Sequence, residues 1–144
     1  MRASQVLPAG RWPNSDEVDA VLIDHDRRHR RRLVLTTLSG RQVLLDLARA
    51  TRLRHGDGLL LDDGDVIRVA AKPEALLEIR AADLTRIAWH LGNRHIEIEI
   101  QTDCLRVRDD HVIAAMLRGL GAEVRAVEAA FDPEPGAYET TPHV

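Results

Sequence analysis

The chain is 144 residues long, 44% hydrophobic and 30% charged, enough to bury a core and unlike a disordered composition. Twenty cationic and 23 acidic residues leave a net charge of −3, which argues against a general nucleic-acid binder, whose affinity comes mostly from neutralising phosphates. The single cysteine excludes an internal disulfide and a four-cysteine zinc site. No apolar run approaches the ~20 residues of a membrane helix. The opening Met1–Pro8 stretch has no apolar signal core, so a cytoplasmic location and no membrane partner are expected.

The first part of the chain reads as short strands. In Glu17–Ile23, Val18, Ala20 and Leu22 alternate with period two and predict a strand with those residues inward. His25 and His29 flank Arg27-Arg28 and precede Arg30-Arg31-Arg32. That run is read as a solvated, charged edge that discourages edge-to-edge pairing, with an acidic partner surface as the other reading. Arg30–Thr37, the turn signal Ser39-Gly40 and Arg41–Leu47 predict a hairpin. Ala48–Gly58 reads as loop. Leu59–Leu61, a turn at Asp62–Asp65 and a strand at Val66–Ala71 follow.

The pattern changes at Lys72-Pro73-Glu74. Ala75–Arg80 predicts a strand. Asp83 is placed to cap a helix whose stripe is Leu84, Ile87, Ala88 and Leu91, with Gly92 as its stop. Ile96–Ile100 alternates strictly, as a strand with one apolar face does. Cys104–Arg108 is a short strand. Asp109 or Asp110 caps a second helix with Ile113, Met116, Leu117 and Leu120 as its stripe and Gly121 as its stop. Glu123–Ala129 is the last strand. This order is that of the split βαββαβ motif. The expected class is α+β: a small all-β domain over residues 1–72, a ferredoxin-like βαββαβ domain over 73–136, and a flexible, proline-containing tail over 137–144.

The seven histidines are the main chemical signal. His90, His95 and His111 all fall off the apolar stripes, and His143 lies in the tail. Exposed imidazoles beside carboxylates suit a borderline divalent ion such as nickel, zinc or copper. None of these four is paired at the i, i+4 spacing of a preformed helical site, so spacing alone favours scattered surface histidines over a metal site. Cys104 has no neighbour to lower its pKa and reads as structural. The sequence holds no nucleophile elbow and no phosphate loop. Asn93-Arg94 is reminiscent of an acylphosphatase anion site, but it follows a helix, whereas an anion is held at a helix N-terminus. An RNA-binding sheet needs aromatics, and here Glu97 and Glu99 stand on the polar face of their strand.

Several segments together resemble the UreE family of urease accessory proteins. They are Trp89–His95 (WHLGNRH), Leu105-Arg106, Asp110–Leu117 (DHVIAAML), Leu120-Gly121 and Phe131–Tyr138 (FDPEPGAY). Ser39–Arg41 and Leu53–Asp57 carry a looser likeness in the first part. The resemblance implies a nickel metallochaperone and not an enzyme, with a peptide-binding-like β domain and homodimers formed through the second domain. It places His95 of each copy at that interface as the central Ni(II) ligand, with Zn(II) acceptable at the same site. Two-fold symmetry then supplies two imidazoles from one position. It makes His111 a peripheral ligand and His143 a tail ligand, although this tail lacks the family's run of histidines. Glu97 and Glu99 stand where the family usually has Pro and Gln. The implied partners are a second copy, the urease apoprotein and its other accessory proteins, including the GTPase. The rival expectations are an acylphosphatase-like enzyme and a metal-free protein-interaction scaffold.

Overall fold

A computed structural model describes residues 1–135, and the chain divides into two compact units, Met1–Lys72 and Pro73 onward. The first unit is one six-stranded sheet built from β1 (Arg2–Leu7), β2 (Glu17–Ile23), β3 (His29–Thr36), β4 (Gln42–Arg52), β5 (Gly58–Leu61) and β6 (Val66–Ala71), in the order β2-β6-β5-β1-β4-β3. The β3–β4 hairpin forms as expected, with Leu33 opposite Leu45 and Leu35 opposite Val43. Val21, Leu35, Leu45, Leu59 and Ile67 are among the buried residues of its core.

Four expectations for this unit fail for identifiable reasons. The strand β1 is absent from the sequence reading. Only Ala3 of its six residues is fully buried, so it carries no apolar alternation. Its place is fixed by its neighbours, parallel to β4 and antiparallel to β5. In β2 the inward residues are Ala20, Val21 and Ile23, while Val18 and Leu22 are exposed. The register of β2 on β6 shifts between Glu17 and Asp19, and apolar residues of both parities made the face ambiguous. The stretch 48–52, read as loop, is the end of β4: its polar residues pair with the start of β3, His29 opposite Arg52. Finally, His25 and Arg28 are buried, not solvated. A single tight turn over Asp26–Arg28 tucks them in, closed by Leu53 N–H donating to the Arg28 carbonyl.

The second unit runs β7 (Pro73–Arg80), α1 (Leu84–Asn93), β8 (Glu99–Ile100), β9 (Leu105–Arg108), α2 (His111–Gly119) and β10 (Glu123–Ala130). Its four strands lie in the order β10-β7-β9-β8, and every neighbouring pair is antiparallel. Leu77, Ile79, Leu105 and Val107 on one sheet face share a core with Ile87 and Leu91 of α1 and with Ala114 and Leu117 of α2. Both helix caps are acidic: Asp83 accepts from Arg86 N–H, and Asp110 accepts from Val112 and Ile113 N–H. In α2, Ala114 is buried where Leu120, 37% exposed, was expected inside. Leu120 is the C-cap, where the chain already turns away from the core. The strand expected over Ile96–Ile100 shrinks to Glu99–Ile100, although Ile96 and Ile98 still pack on the core. The chain leaving α1 needs residues 94–98 to turn before it can join the sheet.

Candidate functional site

The C-terminus of α1 positions the residue that the sequence singles out. Arg94 is its C-cap, His95 N–H donates to the Gly92 carbonyl at 2.9 Å, and Ile96 N–H donates to the Leu91 carbonyl at 3.1 Å. These two bonds are the Schellman pair, and they place His95 at the position that must turn left-handed. Its φ is +60°, and it is the one non-glycine residue with positive φ among the described residues. Helix α2 ends the same way: Gly121 N–H reaches the Arg118 carbonyl, Ala122 N–H reaches the Leu117 carbonyl, and Gly121 has φ +86°. There a glycine fills the left-handed position, which is the default choice. In α1 the glycine expected to stop the helix, Gly92, is still helical, and a histidine takes the turn. A left-handed non-glycine residue costs on the order of 1 kcal/mol or more, and such strain gathers at functional positions.

The imidazole of His95 is exposed at the rim of an open depression of about 300 Å³. Ile96, Glu97, Arg108, Asp110 and Ile113 line the rest. Glu97 accepts from Arg108 Nη1 at 2.9 Å. Arg108 also lies 3.8 Å from Glu74 and 5.2 Å above the Phe131 ring, so it ties the segment after His95 to β7 and to the start of the C-terminal segment. Asp110 in the wall is engaged in capping α2.

His111 is the first residue of α2, exposed, and follows Asp110 directly, but does not itself line the depression. His143 lies outside the described residues. The segment that leads towards it is held beside the residues after His95: Asp132 N–H donates to Glu99 Oε1 at 2.8 Å, and Glu134 N–H donates to the Ile98 carbonyl at 2.7 Å. His90 is half-buried, edge-on to Trp89 at 5.1 Å, where full exposure was expected. Trp89 and Val112, on α1 and α2, are 64% and 61% exposed, large values for apolar side chains. Cys104 is buried and donates to Gln101 Oε1, a structural role. Asn93 and Arg94 sit at the end of α1, the wrong end for holding an anion.

Comparison with known families covers nearly the whole chain. Residues 3–72 match the family described as UreE urease accessory protein, N-terminal domain, and residues 74–144 match its C-terminal domain. The chain belongs to the UreE family of urease accessory proteins. It is similar to a urease accessory protein UreE of Bradyrhizobium sp. (strain ORS 278), 54% identical over 146 residues, covering 99% of this chain and 69% of the relative. A UreE of Rhodopseudomonas palustris (strain HaA2) is 53% identical over 141 residues, covering 96% of this chain and 65% of the relative. A UreE of Rhodobacter capsulatus is 47% identical over 137 residues, with 95% and 86% covered. Proteins of the UreE family are accessory proteins, not catalysts, which removes the acylphosphatase reading. Among the described residues no helix is long and apolar enough to cross a membrane.

Proposed function

We propose that this accessory protein is a cytoplasmic nickel metallochaperone for urease, and that two copies hold Ni(II) between their His95 side chains. The observation that carries this reading is the conformation of His95. A histidine occupies a left-handed helix stop that glycine would fill without strain, and its imidazole projects into solvent. A side chain kept there against the backbone preference has work to do outside the fold.

The chemistry suits a carrier. Neutral imidazole binds nickel and zinc well, and an exposed site lets ligands exchange one at a time during transfer. A buried thiolate cage would retain the ion. Carboxylates at Glu97 and Asp110 lend negative potential to the depression. The exposed Trp89 and Val112 suit a surface that a second copy covers. Protons compete for the same nitrogen, so binding weakens as the solution is acidified.

His111 serves as a further ligand at the same end of the unit. His143 serves as the tail ligand. It lies eight positions beyond Pro135, which allows a span of up to about 27 Å. The strand order β10-β7-β9-β8 with helices after β7 and β9 supports a ferredoxin-like assignment for residues 73–136, after an all-β domain over 1–72 and before a tail over 137–144. The receiving partners are the urease apoprotein and the other accessory proteins, including the GTPase.

Calorimetric titration of the chelator-treated protein with nickel tests the central claim. The wild type binds one ion per two chains, and His95→Ala loses that tight step. Undiminished binding by His95→Ala refutes it. A metal-free scaffold predicts no nickel binding and no nickel-dependent shift to dimer in a sizing experiment.

A further inference from the structure

The second unit carries a further charge arrangement on its sheet. On the sheet face away from the helices, Arg125, Glu78, Arg106 and Glu99 stand directly opposite one another across β10, β7, β9 and β8. Glu78 is 5% exposed and receives three guanidinium groups. Arg106 Nη2 and Arg125 Nη2 donate at 3.0 Å, and Arg80 Nη2 donates at 3.3 Å. Arg106 Nε is buried and has no hydrogen-bond partner among the described residues.

One carboxylate cannot neutralise three arginines. Glu123 opposite Arg80 and Glu99 opposite Arg106 offset the other two charges, so what the site offers an anion is the exposed donors of Arg80 and Arg125 rather than a net charge. Arg80 and Arg125 keep 50% and 71% of their side chains exposed, so much of each fork of donors remains turned to solvent. A cavity of about 380 Å³ opens there, lined by Glu78, Arg80, Glu123, Val124 and Arg125. The buried carboxylate holds the guanidinium tips in place, so little side-chain entropy is left to lose when a ligand arrives. Planar guanidinium forks match the geometry of carboxylate and phosphate oxygens.

The geometry points to an oxyanion-binding site between Arg80 and Arg125, organised by Glu78. Its ligand is a small phosphate or carboxylate group. The site is independent of nickel and needs no second copy.

Calorimetry on the full-length, chelator-treated chain tests it with inorganic phosphate and with citrate, against chloride at equal ionic strength. Saturable binding is expected with Kd on the order of 1 mM, and Arg125→Gln or Arg80→Gln weakens it about tenfold. Binding of phosphate alone, citrate alone or both supports the site and names the chemistry it prefers. No saturable binding of either up to ~50 mM, or equal binding by wild type and Arg125→Gln, overturns it. Glu78→Gln adds an independent readout. Without the carboxylate that holds the two forks, its melting temperature rises less with phosphate than that of the wild type. An equal or larger rise overturns the organising role of Glu78.

Discussion

Replacing His95 with glycine separates its place in the fold from its proposed role as a metal ligand. In the metal-free chain His95 is exposed, so its side chain adds little packing. Its left-handed backbone, φ +60°, costs on the order of 1 kcal/mol for a residue with a Cβ, and glycine removes that cost. Glycine also gives the unfolded chain more freedom, which costs about 0.4–1 kcal/mol. The two terms nearly cancel, so His95→Gly is expected within about 0.5 kcal/mol of wild type. The matched control is Gly121→Ala at the equivalent stop of α2. A Cβ at Gly121 meets no atom within 4 Å, so only the backbone penalty at φ +86° is felt. It should destabilise by about 1 kcal/mol, or about 4–8 °C for a domain of this size. Urea melts of chelator-treated protein give both values. A loss of more than 1 kcal/mol in His95→Gly would mean that the imidazole is part of the packing. An unchanged Gly121→Ala would mean that the left-handed turn carries no penalty here. Nickel binding by His95→Gly should vanish while its stability stays, a pattern that a structural histidine cannot produce.

Other outcomes follow from the same geometry. Asp110→Ala removes the acceptor for Val112 and Ile113 N–H and should cost about 1 kcal/mol in an equilibrium melt, while Asp109→Ala should be silent. Gly58→Ala would drive a methyl group to 2.7 Å from Val66 and 2.9 Å from Trp12, so a loss of about 1–3 kcal/mol is expected, and a neutral result would contradict that packing. The hydrogen bond from Arg106, then the charges of Arg125 and Arg80, hold the Glu78 carboxyl below its usual range despite its burial. The stability it contributes is therefore present above about pH 4.5 and lost as the pH falls through its lowered folded value. The gap between wild type and Glu78→Gln in melts should close on acidification, and a constant gap would contradict the ion pairs. Burial, then Arg52 and Arg30, push the His29 imidazole below its usual 6.5. The unfolded chain then binds the proton more readily, so the first unit loses stability as pH drops below 6.5. Melts of His29→Gln should lack that part of the loss.

Much of this fold was legible because local signals agreed with it. The Ser39-Gly40 turn lies between two apolar runs, and Asp83 and Asp110 each precede an amphipathic stripe. Those cues are short-range and survive in any context. What escaped was set by distant neighbours. Strand β1 has almost no pattern of its own and is placed by β4 and β5. The burial of His25 and Arg28 depends on a turn closed from Leu53, far along the chain. At the site, sequence pattern put His95 on a polar face but read Gly92 as the helix stop. The hydrogen bonds choose the later turn, because it lets Ile96 reach the core beside Leu91. No residue type signals that choice when the left-handed position holds a histidine. The arginines around Glu78 were equally hidden, since β10, β7 and β9 bring together residues 28 and 47 apart in the chain.

The short strand β8 has a consequence for assembly. It is the last strand of its sheet, and an edge strand ordinarily invites a neighbour to add on. Here the chain closes that edge itself, with Glu134 bonded to Ile98 and Asp132 to Glu99. A neighbouring molecule arriving on this side finds the Ile98 carbonyl beside that strand already taken. In the proposed dimer, two copies that meet around His95 would join through side chains and a shared ion. Such a contact can be loosened by drawing off the metal, without unpicking any backbone pairing.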